Sequence, residues 1–73
     1  MKLADVPAGQ MVVTGAGLKA RVLAHETTGT YVLAVHHREV PFGGQLVKHT
    51  ESRGEVWSNG TDVEPVGQLV LGL

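Results

Sequence analysis

Histidines 25, 36, 37 and 49 are the residues of this 73-residue chain whose type first suggests chemistry, because a neutral imidazole ligates metals and titrates close to neutral pH. Their spacing works against a metal site. His36 and His37 are neighbours, and on a strand neighbours point to opposite faces. No His-x-His pair and no His-Glu-x-x-His run is present, so no metal ligand set is expected. Glu55, Asp62 and Glu64 carry the charge for Ca²⁺ or Mg²⁺ but lack the pattern of an EF-hand loop. There is no cysteine, and Ser52 and Ser58 stand in turn-like sequence without a Gly-x-Ser-x-Gly elbow, which leaves nucleophilic catalysis without a nucleophile. Gly15-Ala16-Gly17 matches the first three positions of a dinucleotide fingerprint, but a strand-like run follows it where phosphate binding needs a helix. It reads as a turn. No catalytic residue and no cofactor is expected.

The elements that must position these side chains are marked by composition. Twelve Val, six Thr and ten Gly, with three Pro and no Ile, favour short strands and tight turns, since β-branching restricts χ1 and Gly interrupts helices. Residues 1–9 read as an irregular lead-in. Strands are expected over 10–14, 18–25, 30–37, 45–50, 53–58 and 61–66, with the four-residue loop Glu26-Thr27-Thr28-Gly29 and the break Pro41-Phe42-Gly43-Gly44 among the turns. Glu51-Ser52 is a weak turn, and Asn59-Gly60 is a strong hairpin signal because both residues accept positive φ. Phe42 reads as a plug at a barrel end. The expectation is one all-β domain over 1–73, a small five- to six-stranded barrel of SH3-like or OB-like type. Residues 68–73, Gln-Leu-Val-Leu-Gly-Leu, are expected to form a last strand or an apolar arm.

Register converts this plan into faces. Setting His25 opposite Thr30 pairs Ala24 with Tyr31, Val22 with Leu33 and Ala20 with Val35, a wholly apolar inner face. The outer face then pairs Lys19 with His36, Arg21 with Ala34 and Leu23 with Val32. A small apolar patch around Leu23 is thus rimmed by Lys19, Arg21, His25 and His36, the expected site for a ligand or partner. The second hairpin, around Asn59-Gly60, pairs Trp57 with Asp62 and Glu55 with Glu64, an acidic-aromatic second contact face.

Six Lys and Arg against seven Asp and Glu give a net charge of −1. That balance lacks the basic footprint of a general nucleic-acid or anionic-membrane binder. A small anion with an apolar or aromatic part, such as a nucleotide, suits Arg21, Lys19 and Leu23 better. No signal-peptide-like or membrane-spanning run is visible, and the cytoplasm is the default compartment. A short chain with a core of small residues and no disulfide is expected to self-associate.

Lys2-Leu3-Ala4-Asp5-Val6-Pro7-Ala8-Gly9 and Thr61-Asp62-Val63-Glu64-Pro65-Val66 resemble the ends of small orphan β-proteins of tailed bacteriophages and prophages. The resemblance covers those ends alone. It implies an accessory protein acting by binding in the host cytoplasm, including on a host protein of a defence system, and it carries no catalytic residue. The residues themselves lead to a non-enzymatic homo-oligomeric binding protein. The rivals are a structural assembly subunit without a ligand and a hydrolase with a site shared between subunits.

Overall fold

The computed structural model describes residues 1–67; the expected strand or arm over 68–73 lies outside the described residues. The valine- and threonine-rich runs form five strands: β1 (Met11–Thr14), β2 (Lys19–Glu26), β3 (Gly29–Phe42), β4 (Gln45–Trp57) and β5 (Val63–Val66). The fold is all-β apart from a short 3-10 turn at Leu3–Asp5. One antiparallel sheet has the order β4-β3-β2-β1-β5.

Five residues, 58–62, carry the chain from β4 at one edge of this sheet to β5 at the other. Four strand spacings in a flat sheet amount to about 19 Å, close to the full reach of such a segment, roughly 20 Å. The segment is not extended, because the Thr61 amide turns back to donate to the Ser58 carbonyl at 3.0 Å. The sheet must therefore curl. It does not close: β4 and β5 are not paired, and the expected barrel is an open, curled sheet. The first residues of the chain run along the gap, with Leu3 N–H donating to the Thr61 carbonyl at 2.8 Å and Ala4 N–H to the Asn59 carbonyl at 3.1 Å. Asn59-Gly60 is correspondingly not a two-residue hairpin, and the expected pairing of 53–58 with 61–66 does not form.

The concave face holds the core, Leu3, Val6, Val12, Ala20, Val22, Val32, Ala34 and Val63, with Trp57 packed against it. Each fully buried Val contributes on the order of 1.5–3 kcal/mol. Among the described residues buried Thr30 is the polar exception, and its hydroxyl donates to Asn59 Oδ1 at 2.6 Å.

Two departures from the expected register decide which side chains face outward. Ala24 pairs with Tyr31 and His25 with Thr30 as expected, but the ladder slips at Leu23, after which Val22 pairs with Val32, Arg21 with Leu33, Ala20 with Ala34 and Lys19 with Val35. A β-bulge inserts one unpaired residue. Val32 and Ala34 are therefore core, while Tyr31 and Leu33, expected inside, are 46% and 38% exposed. The second departure is that β4 runs through Glu51 and Ser52 without a turn, paired with β3 from Gln45 opposite Phe42 to Trp57 opposite Thr30.

β2 ends at Lys19 opposite Val35, so beyond that point β3 and β4 continue as a two-stranded arm. Its tip is Gly43-Gly44, at φ +59° and +83°, the two positive values that a type I′ turn demands. Phe42 beside the tip is 74% exposed and plugs no barrel. The arm gives the molecule a radius of gyration of 14.4 Å, against about 11 Å for a compact chain of this length.

Candidate binding face

The ladder lays side chains out in rows across the convex face. One row is Val66, Met11, Arg21 and Leu33, and the next is Glu64, Val13, Lys19 and Val35. Arg21 and Lys19 thus lie two residues apart on β2, each flanked by apolar neighbours. Both are exposed. Gly9 enters here because the lead-in folds back along β2: its amide donates to the Val22 carbonyl at 2.7 Å, and the Val22 amide donates to the Gln10 carbonyl at 2.9 Å. The Gly9 carbonyl then accepts from Arg21 Nη1 at 2.7 Å. One arm of the guanidinium is held in place, and its remaining donors are available to a ligand.

Beside them opens a groove of about 560 Å³ lined by Gly9, Gln10, Met11, Lys19, Arg21 and Val66, with Pro7, Ala8 and Gly67 at its margins. That volume falls in the range of small-molecule sites, roughly 300–1,000 Å³. Its electrostatics are one-signed. Lys2, Arg38 and Arg53 each reach a carboxylate, at 3.0, 4.0 and 3.2 Å, whereas neither Lys19 nor Arg21 has an acidic partner among the described residues.

Of the rest of the expected site, His36 borders a smaller pocket of about 260 Å³ with Lys19, Leu18 and His37, while Leu23 and His25 lie apart. Leu23, at the bulge, is 48% exposed and does not line the groove. His25 is exposed but engaged elsewhere: Nδ1 is 2.9 Å from the Thr30 hydroxyl and Nε2 meets the Val6 carbonyl. This ties the lead-in to the hairpin. His36 shares the concave side of β3 with Val32 and Ala34, where Nε2 lies 2.6 Å from Glu55 Oε2. Glu55 Oε1 also accepts from Trp57 Nε1 at 2.9 Å. The Trp57 hydrogen bond first, then the His36 bond and the nearby charges of His36 and Arg53, hold the Glu55 carboxyl below its ordinary range.

The acidic-aromatic face does not assemble. Trp57 stands opposite Thr30, Asp62 pairs with Lys2 at 3.0 Å, and Glu64 lies on β5 opposite Val13. A hydrogen bond from Lys2 and its charge hold the Asp62 carboxyl below its usual range. His36 has a carboxylate, Glu55, while His37, on the opposite face of the arm, has a hydroxyl, Thr50 at 2.8 Å. No group of three or more metal-ligating side chains is gathered among the described residues.

Sequence reasoning missed Gly9, Met11 and Val66. The pairings that bring them to Arg21 join segments far apart in the chain, and no local pattern announces them. No helix among the described residues is long and apolar enough to cross a membrane. Comparison with protein-family models, with curated proteins and with solved structures finds no match.

Proposed function

We propose that the protein is a non-enzymatic binding protein, working as a homo-oligomer, that holds a small nucleotide-like anion in the convex-face groove. The observation that carries this reading is the convergence of Lys19 and Arg21, without acidic partners among the described residues, on one groove of about 560 Å³. Arg21, braced by Gly9, offers a forked donor to a phosphate or carboxylate. Met11 and Val66 supply apolar surface for the remainder of the ligand.

Self-association is supported by a core of only eight buried apolar residues among the described ones, five of them Val, and by the exposed Tyr31, Leu33 and Val56. Those side chains also favour the rival reading, a structural subunit whose partners are copies of itself. Likeness of the chain ends to small phage proteins supports an accessory role in a host cytoplasm, with a host protein as the other class of partner.

Titration with adenosine 5′-monophosphate, inorganic phosphate and adenosine, read by amide chemical shifts, tests the ligand reading. The nucleotide is expected to bind more tightly than either part and to move the amides of Gly9, Gln10, Lys19 and Arg21. Failure of the nucleotide to perturb them at millimolar concentration contradicts the reading and favours the structural subunit.

A further inference from the structure

Strand β4 is an edge strand of 13 residues, Gln45–Trp57, paired on one side with β3 and on the other with no strand among the described residues. Proteins ordinarily blunt such an edge with Pro, bulges, brevity or unmatched charge, because its free N–H and C=O groups template pairing with another chain. β4 has no Pro, and its ladder with β3 runs without a register shift from Gln45 to Trp57. Its side chains carry a code instead. Along the concave side the order is Val47, His49, Glu51, Arg53, Glu55 and Trp57, an alternation of basic and acidic residues bounded by an apolar residue at each end. Reversed end to end, that series is complementary to itself.

We infer that β4 is the self-association edge, pairing antiparallel with β4 of a second copy about a two-fold axis through Ser52. In that register Glu51 faces Arg53 of the partner subunit, His49 faces the partner's Glu55 and Val47 faces the partner's Trp57, each contact occurring twice. The axis stands perpendicular to the sheet, so concave faces meet concave faces and the two sheets become one continuous sheet of ten strands. An isologous contact of this kind closes as a dimer and leaves no further β4 edge to propagate. Shifting by two residues puts Glu51 opposite its own copy, which like-charge repulsion disfavours. The pairing rests on the self-association proposed above and locates it; it leaves the groove at Lys19 and Arg21 untouched.

Arg53 is 57% exposed and Glu51 37% exposed at the side chain, so both accept charge reversal without entering the core. Arg53→Glu and Glu51→Arg, each alone, place like charges opposite one another at both symmetry-related pairs. Either variant is expected to weaken dimerisation by about tenfold or more in sedimentation velocity. An equimolar mixture of the two variants restores opposite charges across the interface while leaving like charges within each chain. A heterodimer should therefore form, which separates the intermolecular effect from loss of the internal Arg53–Glu51 ion pair. The chain has no cysteine, so Ser52→Cys provides a second reading: residues on the axis of an antiparallel pair lie about 4.5–5.5 Å apart, within disulfide reach. Mild oxidation should crosslink Ser52→Cys much faster than the loop control Thr28→Cys. A monomeric wild type overturns both this pairing and self-association. A dimer indifferent to the charge exchange, or crosslinked no faster through position 52 than through position 28, overturns the β4 pairing alone.

Discussion

His36 and Glu55 meet at 2.6 Å although their ladder partners, Glu51 and Val32, place them four residues apart along the strands, about 13 Å in a flat sheet. Both side chains lean toward each other over the concave side, and Trp57 clamps the same carboxylate from its other oxygen. The trio runs along the concave side from Trp57, opposite Thr30, to His36, where the two-stranded arm begins.

This arrangement sets an acid limb of stability. The Glu55 carboxyl is held below its ordinary range, chiefly by the Trp57 hydrogen bond. Stability from a depressed carboxyl is fully present above the unfolded-state value and is lost as pH falls through the folded-state value. Urea denaturation should find Glu55→Gln less stable than wild type at neutral pH, and the gap should close once pH drops below the usual carboxylate range. A gap that stays constant with pH would refute the assignment.

The slip at Leu23 makes a test of faces. Val32→Ala removes atoms from a fully buried side chain and should cost on the order of 2 kcal/mol. Leu33→Ala, on the convex face, should cost less than about 1 kcal/mol. Deleting Leu23 should preserve every observed pairing, because it removes the one residue the bulge leaves unpaired; a deletion mutant that fails to fold argues against the bulge. The urea midpoints of the three variants decide the matter.

Gly29 opens β3 opposite Glu26 with φ at +156°, and a Cβ there would stand 2.7 Å from Val56 Cγ1 and 2.9 Å from the Trp57 carbonyl oxygen. Backbone cannot yield as a side chain does. Gly29→Ala should lower stability by about 1–3 kcal/mol, seen as a fall in Tm, whereas Gly54→Ala, which meets nothing within 4 Å, should change it little.

Because His25 and His36 are engaged away from the groove, ligand affinity should not follow imidazole titration. Phenyl sulfate, whose charge is constant across that range, should bind equally well on either side of it. Affinity that falls as pH rises through the range would return a histidine to the site.

Local pattern made the strands and the Gly43-Gly44 break legible, and period-two alternation put Lys19 and Arg21 outside. It failed where structure depends on distant partners. Nothing in Val22-Leu23-Ala24 marks a bulge, so two pairs near the turn were right and those beyond it slipped. Asn59-Gly60 has the composition of a hairpin, but the Asn59 side chain is occupied by Thr30 and by the Glu26 carbonyl, and this fixes it in a crossover between sheet edges. The groove was invisible because Gly9, Met11 and Val66 reach Arg21 through the fold-back of the lead-in and through pairing of the first strand with the last.

The most direct test compares the affinity of adenosine 5′-monophosphate for wild type, Arg21→Lys and Arg21→Ala by isothermal titration calorimetry, with circular dichroism to confirm that each variant folds. A forked, braced guanidinium predicts a graded series: wild type binds, Arg21→Lys retains charge but loses the fork and binds about tenfold more weakly, and Arg21→Ala shows no binding. Equal affinity in all three folded proteins, or no binding to wild type, would contradict the account.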